Sequence, residues 1–275
     1  MANPTISGYR SGMSGSIEYS ANNSGVAVLR VNRPASRNAF TWAAQEQFAA
    51  TVTAAGQDPD IRVLIITGTG QAFVSGGDLK ELVDHPERTA GERLNRVMSA
   101  ALANLITLPY PVIGAVNGDA IGGGCEILTA CDLRLAAGSA RFSFRQVHNG
   151  LTTGWGGTGR LVDLIGQSRA MELLLTGRSF DAAEALALGL IHRIVPANSD
   201  VLDAAYQWAE ELILLPRQAL AATKMLVHAA VHLSSAETQT LEARFFVDLW
   251  SSPDHIEAMR AFGEKRTPQF NSEPG

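Results

Sequence analysis

One stretch decides the fold of this chain: Pro111-Val112-Ile113-Gly114-Ala115-Val116-Asn117-Gly118-Asp119-Ala120-Ile121-Gly122-Gly123-Gly124-Cys125-Glu126. Its first six residues are apolar and β-rich and predict a buried strand, and its glycine cluster opens a helix. Glycine lets main-chain N–H groups converge on one point, and a helix N-terminus adds a partial positive potential there. The stretch therefore predicts a cradle for an oxyanion or a phosphate.

A second segment, Ser75-Gly76-Gly77-Asp78, also places glycines between a strand and a helix. Two such helix ends could form one oxyanion hole. The alternative interpretation is a pair of tight turns without a ligand, because glycine clusters often have that role. A nucleotide site is a weaker alternative, since the chain lacks both G-x-x-x-x-G-K-[ST] and G-x-G-x-x-G after its first strand.

Strands and helices alternate on both sides of these segments. We predict strands at 17–19, 26–31, 62–68, 111–116, 131–136 and 141–144, and helices at 42–55, 90–108 and 122–128. Repeated strand–helix units imply a parallel α/β core. From about Gly159 the β-rich runs nearly vanish and helical stretches dominate through Met259. We therefore divide the chain into 1–200, the α/β core, and 201–275, a helical region.

Length and composition limit the class of protein. A chain of 275 residues, 46% hydrophobic and 18% charged, fits one main core with an appendage. A net charge of -5 without a long basic cluster argues against a nucleic-acid partner. The most apolar segment, 100–116, is interrupted by prolines, so no membrane span is expected. Met1 to Ser20 lacks the apolar core of a signal peptide, and a cytoplasmic location is expected.

The two glycine segments together resemble the signature segments of the enoyl-CoA hydratase/isomerase, or crotonase, superfamily. The resemblance rests on Ala72 to Lys80 and Pro111 to Glu126, and it continues through Asn32-Arg33-Pro34, Cys131-Asp132, Gly156-Gly157-Thr158 and Phe262 to Arg266. It covers nearly the whole chain after the first ten or so residues. The fold class that it implies is α/β, with a crotonase-like ββα spiral core and a C-terminal helical part that forms trimers.

The resemblance also implies roles for individual residues. Gly77 and Gly123 correspond to the family's two backbone N–H donors to the thioester oxygen, and Glu126 to its first catalytic glutamate. Two preorganised donors stabilise the enolate oxygen more than the neutral thioester. The implied enzyme therefore binds an acyl-CoA and stabilises the enolate made from it. No separate cofactor and no metal are expected, because coenzyme A is part of the substrate.

The chain departs from the family at the second catalytic glutamate, where an ungapped alignment places Gln146. A glutamine amide cannot exchange a proton near neutral pH, although it can hold a water molecule or a carboxylate. The hydratase/isomerase type of reaction, in which Glu126 alone moves the protons, is the first alternative. The second is an acyl-CoA decarboxylase, because Gly154-Trp155-Gly156-Gly157-Thr158 resembles the ethylmalonyl-CoA decarboxylase branch. The third is an acyl-CoA-binding protein with an impaired site.

The remaining candidate residues would bind the substrate. Arg37 and Lys80 are candidates for the phosphates of CoA, and Lys265 belongs to a C-terminal basic pair that resembles one reaching the nucleotide. Trp155 is either a core residue or a wall of the acyl pocket. The set of substrate-binding candidates is Arg37, Ala39, Gly77, Asp78, Leu79, Lys80, Gly123, Trp155 and Lys265.

The expected partner, besides an acyl-CoA, is a second copy of this chain. The family resemblance implies a homotrimer or a hexamer built from two trimers. The apolar stretches Leu212 to Leu215 and Phe245 to Trp250 offer a surface that a monomer would struggle to bury.

Overall fold

The computed structural model describes residues 10–11 and 15–270. Part of the N-terminal segment on which the cytoplasmic expectation rests, namely residues 1–9 and 12–14, lies outside the described residues, as do residues 271–275. Within the described ranges, no helix combines the length and the hydropathy that a membrane span requires.

A seven-stranded sheet forms the centre of the molecule, in the order β1-β2-β3-β4-β6-β8-β11. Its strands are β1 (Arg10–Ser11), β2 (Ile17–Ala21), β3 (Val26–Val31), β4 (Val63–Gly68), β6 (Val112–Val116), β8 (Leu133–Ala137) and β11 (Arg193–Val195). The β2–β3 pair is antiparallel, and the pairs from β3 to β11 are parallel. All residues of β4 and β6 are buried, because helices and the second sheet cover both faces.

A smaller sheet of four short strands lies beside the first, in the order β10-β9-β7-β5. Its strands are β5 (Ala72–Val74), β7 (Asp119–Ile121), β9 (Arg141–Ser143) and β10 (Phe180–Asp181). The pairs β5–β7 and β7–β9 are parallel, so these three strands end at the same edge of the sheet. This edge positions the candidate site.

The helices of the α/β part are α1 (Trp42–Gln57), α2 (Leu79–Leu82), α3 (Arg88–Thr107), α4 (Gly123–Thr129), α5 (Gly157–Ile165), α6 (Gln167–Thr176) and α7 (Ala182–Leu188). Helix α1 begins where the Thr41 hydroxyl accepts a hydrogen bond from the Ala44 N–H, as the sequence predicts for an N-cap. Two short 3-10 turns, Pro34–Ser36 and Arg145–Asn149, follow strands β3 and β9. The main core contains β-strand residues from both sheets together with residues of α1, α3 and α4.

The C-terminal part is helical, with α8 (Val201–Ile213), α9 (Arg217–His232), α10 (Ser235–Trp250) and α11 (Pro253–Glu264). Helix α8 packs Val201, Ala205, Trp208 and Ala209 against the large sheet in a second apolar cluster. Helix α9 buries only Ala222, and no residue of α10 is buried. The division at residue 200 stays a prediction.

The structure confirms the mixed α/β class, the opening hairpin and the order of the larger elements. The sequence prediction omitted strands β5 and β7, and it expected almost no strand after Gly159, where β10 and β11 occur. These four strands have only two or three residues each, too few to produce a recognisable periodicity. Strand β5 pairs with β7, and β10 with β9, across long sequence separations, so tertiary pairing defines them.

Candidate active site

Three segments that carry candidate residues leave the same edge of the small sheet. Gly76 and Gly77 follow β5, Gly122 and Gly123 follow β7, and the turn that contains Gln146 follows β9. The parallel register aligns Val74 with Ala120 and Ile121 with Ser143, so the three strand ends lie side by side. The chain thus brings together residues from positions 76 to 146 without a long connecting loop.

Glycine is required where these segments approach one another. Gly76 and Gly122 have φ angles of 87° and 57°, in the left-handed region that favours glycine. A Cβ atom on Gly124 would lie 2.0 Å from the Val74 carbonyl oxygen, so only glycine lets α4 start against the end of β5. The Gly123 nitrogen lies 3.2 Å from the position that a Cβ on Gly76 would occupy.

The two predicted oxyanion donors are unpaired. In the described part of the chain, neither the Gly77 N–H nor the Gly123 N–H donates a hydrogen bond to a protein acceptor. Gly123 is the first residue of α4, where a backbone N–H has no partner within the helix. Around Gly77, the neighbouring groups are already used: Phe40 N–H donates to Gly76 O at 2.8 Å, and Asp78 N–H donates to Phe40 O at 2.9 Å. The site therefore contains two adjacent segments with free donors.

Glu126 lies in the first turn of α4 with 1% of its surface exposed. Its Oε1 accepts hydrogen bonds from Gln146 Nε2 at 2.8 Å and from the Gly154 N–H at 3.2 Å. Its Oε2 accepts from the Trp155 N–H at 2.7 Å and from the Gly157 N–H at 2.9 Å. Four donors on two oxygens satisfy a buried carboxylate that would otherwise be very costly.

Gln146, the residue that the ungapped alignment matches to the family's second glutamate, lies next to Glu126. A water molecule does not fit between their side chains, because a 2.8 Å hydrogen bond joins them directly. Gln146 Oε1 is buried and, among the described residues, has no hydrogen-bond donor. The amide is therefore oriented by the carboxylate, which can only accept hydrogen bonds when ionised.

Trp155 is both a core residue and a neighbour of the donor Gly123. Three atoms of its six-membered ring lie 2.3 to 2.8 Å from the position that a Cβ on Gly123 would occupy. The indole is 4% exposed and contacts the Phe40 ring in an edge-on arrangement with centroids 6.0 Å apart. The ring thus fills the space beside one oxyanion donor.

Arg160 holds the loop that supplies three of the four donors, and the sequence interpretation missed it. Its guanidinium donates to Trp155 O at 2.8 Å and to Glu126 O at 3.3 Å, and its Nε donates to Thr129 Oγ1 at 3.1 Å. Burial lowers the pKa of Arg160, and the negative charge of Glu126 opposes that shift. The nearby glycine cluster was the only sequence signal for this arrangement.

Cys125 precedes Glu126, and its thiol is buried and hydrogen-bonded. Its Sγ donates to Ala120 O at 2.9 Å, and burial raises the pKa of the thiol to about 12. A protonated, buried thiol is a poor nucleophile.

Comparison with known proteins agrees with this geometry. The sequence profile of the enoyl-CoA hydratase/isomerase family matches residues 21–273. A protein of Mycobacterium bovis named probable enoyl-CoA hydratase is 38% identical over 245 residues, which is 89% of this chain and 94% of that protein. The short-chain-enoyl-CoA hydratase of Clostridium acetobutylicum is 33% identical over 242 residues, 88% of this chain and 92% of that protein. The crystal structure of an enoyl-CoA hydratase from Mycobacterium smegmatis has a TM-score of 0.89 and 27% identity, over 94% of this chain and 100% of that one.

The chain belongs to the enoyl-CoA hydratase/isomerase family. The family resemblance is thereby confirmed, as is the crotonase fold with a C-terminal helical region. This homology identifies it as an acyl-CoA enzyme of the family.

The other substrate-binding candidates of this hydratase/isomerase-family chain lie near the first donor loop or far along the chain. Ala39 is buried, and Asp78 pairs with Arg33 at 3.0 Å while accepting a hydrogen bond from the Lys80 N–H. Leu79 and Lys80 are exposed on α2, directly after Gly77.

Two predicted cations have different environments. Arg37 has an exposed side chain that pairs with Asp119, a residue of β7. Lys265 is exposed at the end of α11, with a φ of 58°. Within the described ranges, no hydrogen bond or ion pair connects Lys265 to Glu126 or to the donor glycines. Their contact with CoA stays a prediction.

Proposed function

We propose that this chain binds an acyl-CoA thioester and stabilises its enolate in a reaction of the hydratase/isomerase type. The observation that carries this proposal is the pair of unpaired N–H groups of Gly77 and Gly123, beside a buried carboxylate one helical turn away. The names of the relatives support the same class of reaction.

In the proposed reaction, the thioester oxygen accepts hydrogen bonds from the Gly77 and Gly123 N–H groups. Negative charge develops on this oxygen while the α-carbon is deprotonated. Donors that are already oriented stabilise this charge without reorganising, and losing one typically costs about 3–4 kcal/mol of barrier. Glu126 is the proton acceptor and donor for the α-carbon. For hydration it would also exchange the proton of one bound water molecule, and for isomerisation it would carry a proton between two carbons.

Decarboxylation is the second candidate, and the direct Gln146–Glu126 contact favours it. A second carboxylate that could activate water is missing at position 146, where an amide donates to Glu126 at 2.8 Å. Loss of CO2 from a malonyl-type thioester needs no base: the C–CO2 bond breaks, its electron pair enters the enolate, and an acid then protonates the α-carbon. The oxyanion donors would hold the enolate, and Glu126 would pass a proton from solvent to the α-carbon.

A parallel assay separates these reactions. The purified protein is incubated with crotonyl-CoA, a 3-enoyl-CoA, methylmalonyl-CoA and ethylmalonyl-CoA, and the thioester products are identified by mass spectrometry and retention time. Hydration adds water, isomerisation changes only retention, and decarboxylation removes CO2. Thioesters that bind without turning over would instead support the impaired, acyl-CoA-binding alternative.

Replacing Glu126 tests the mechanism. Glu126→Gln should lower turnover at least about a hundredfold, because an amide does not exchange a proton near neutral pH. Since all four partners of Glu126 are donors, the new amide NH2 would face N–H groups, so unfolding must be measured in parallel. Unchanged turnover by a folded Glu126→Gln variant would contradict the proposed role.

Three further properties belong to the same proposal. Arg37, Lys80 and Lys265 would contact the CoA moiety, with Lys265 reaching a nucleotide bound to this chain or to a second copy. The active assembly would be a homotrimer or a dimer of trimers. The enzyme would act in the cytoplasm.

A further inference from the structure

The hydrogen bonds of Glu126 use every acceptor position of its carboxylate. Oε1 accepts from Gln146 Nε2 and the Gly154 N–H, and Oε2 accepts from the Trp155 and Gly157 N–H groups. An ionised carboxylate offers about four lone-pair sites. A proton from a substrate can therefore reach Glu126 only after one of these donors leaves.

Three of the donors are fixed parts of the backbone. Gly157 is buried as the first residue of α5, and Arg160 holds the Trp155 carbonyl oxygen. The Trp155 ring packs against Phe40 and Gly123, and a shift of this loop would break that packing. Releasing any of these N–H groups would require the loop and the start of a helix to move.

Gln146 is the one side chain among the four donors and the one that can leave by rotation. It lies in the short turn Arg145–Asn149, in a partly exposed position. Its bond to Glu126 also leaves its Oε1 buried without a donor in the described part of the chain. Burial of an unpaired acceptor costs free energy, which offsets much of what the bond to the carboxylate contributes.

We propose, on the basis of the function proposed above, that Gln146 is a positioning residue that holds Glu126 out of proton exchange until its amide rotates away. After rotation, Glu126 Oε1 takes the α-proton of the thioester, and the C–H electron pair moves into the enolate held by Gly77 and Gly123. The reverse steps return a proton to the α-carbon and the amide to Glu126. Gln146 thus sets how often the only acid/base group of this cluster is available.

The test is hydrogen–deuterium exchange at the α-carbon of butyryl-CoA in D2O, followed by mass spectrometry. This reaction requires only the enolate and Glu126, not hydration or decarboxylation. Gln146→Met has a similar length but no donor, and Gln146→Asn is too short to reach the carboxylate. Both variants should raise kcat for exchange by about three- to tenfold, the effect of losing one competing hydrogen bond, with KM changed less than about twofold.

The control is Asn149→Ala, an exposed residue of the same turn, which should exchange at the wild-type rate. Folded Gln146 variants whose kcat is unchanged or lower would overturn the inference, since a merely structural or a substrate-binding Gln146 predicts that result. The proposed function fails in a different way: neither the wild type nor any Gln146 variant would exchange the α-protons. Exchange by the wild type without acceleration in the variants would leave the proposed function intact and remove the inference alone.

Discussion

Gly157 and Gly159 are two residues apart in α5 but differ in what surrounds them. A Cβ on Gly157 would lie 2.5 Å from Glu126 Cγ and 2.8 Å from Glu126 Oε2, whereas nothing lies within 4 Å of a Cβ on Gly159. We predict that Gly157→Ala lowers kcat about a hundredfold. The new methyl group would displace the Glu126 carboxylate, and a displacement of about 1 Å has an effect of that size. Steady-state kinetics of the two alanine variants measure the difference.

The control variant Gly159→Ala should keep its activity and gain roughly 0.5–1 kcal/mol in free energy of unfolding, because alanine favours a helix over glycine. Denaturant titration measures this gain. Equal kinetics of the two variants would show that Glu126 tolerates displacement and would contradict the mechanism.

The size of the Trp155 side chain should limit the length of the acyl group that the site accepts. Its ring fills the space beside Gly123, so a long acyl group should compete with it for room. Trp155→Leu should raise the affinity for octanoyl-CoA relative to butyryl-CoA by about tenfold, since the smaller side chain makes room for roughly two more CH2 groups and each buried CH2 contributes about 0.8 kcal/mol. Calorimetric Kd values for the two thioesters, with Trp155→Phe as the conservative control, provide the ratio. A ratio equal to that of the wild type would mean that the acyl chain leaves the site in another direction.

Only part of the candidate site could be predicted from the sequence. The glycines and Glu126 were candidates from the sequence because they lie in two short segments that resemble the family's signature segments, and an ungapped alignment with the family pointed to Gln146. The backbone donors of Gly154 and Gly157 and the brace from Arg160 were not, because a hydrogen bond from a backbone N–H or across 31 residues leaves no pattern in the sequence. That Gln146 contacts Glu126 also required the structure.

At the scale of elements, His192 connects the start of the edge strand β11 to its neighbour β8. The His192 Nδ1 accepts a hydrogen bond from the Arg134 N–H of β8 at 3.1 Å, and His192 N–H donates to Arg134 O. Burial, and then the positive charge of Arg134, lower the pKa of His192 below its usual value. Protonation would replace the acceptor with a second donor facing an N–H.

The pH dependence follows from this shift. A histidine pKa that is lower in the folded protein means that the unfolded chain binds more protons, so stability falls as the pH drops below about 6.5. We predict that Tm decreases between pH 7.5 and pH 5 and that the decrease is smaller in His192→Gln. The exposed His232 provides the matched control, and His232→Gln should follow the wild type. If Tm fell by the same amount between pH 7.5 and pH 5 in the wild type, His192→Gln and His232→Gln, the role of His192 would be contradicted.

Helix α9 is attached by charge rather than by apolar burial. Lys224 Nζ donates to Asp132 Oδ2 at 2.7 Å and to Tyr110 O at 3.0 Å, and its side chain is 8% exposed. Burial lowers the pKa of Lys224, and the Asp132 carboxylate opposes that shift. Ala222 is the only buried residue among those of α9.

Loss of the Lys224 ammonium should therefore loosen α9. We predict that Lys224→Met lowers the free energy of unfolding by about 2–3 kcal/mol, the contribution of hydrogen bonds to a charged group. Amide hydrogen exchange should accelerate in α9 before it does in the large sheet. An equal loss in the control Arg169→Met, an exposed position of α6, would refute the specific role of Lys224.

At the scale of the whole molecule, the C-terminal helices leave apolar side chains in solvent. Phe262 is 84% exposed, Val247 66% and Phe246 62%, and Trp250 is 60% exposed in contact with Phe246. Such a concentration of large apolar groups is unusual on a monomer and is typical of a surface covered by another chain. The large sheet and its helices supply a core without these residues.

We predict a homotrimer in solution, or a hexamer made of two trimers, by light scattering coupled to size-exclusion chromatography. Phe246→Ser combined with Trp250→Ser should shift the mass toward the monomer, because the burial of both rings would be lost. Leu175→Ser is the control, since Leu175 is 66% exposed on α6, outside the C-terminal helices. A monomeric wild-type protein would contradict the prediction.

The sequence alone determined the class of the fold, and the family resemblance of its two glycine segments pointed to Gly77, Gly123 and Glu126 as the candidates for an oxyanion hole and its acid/base group. Each depends on local features, namely buried strands, glycines before helices and one carboxylate in a first helical turn. Such features can be recognised because each lies in a short contiguous stretch of sequence. Tertiary structure decided what surrounds them: the pairing of three-residue strands that aligns the segments, the four donors on Glu126 and the ring of Trp155 beside Gly123. These contacts join residues far apart in the chain, and only the packed backbone brings them within hydrogen-bonding distance.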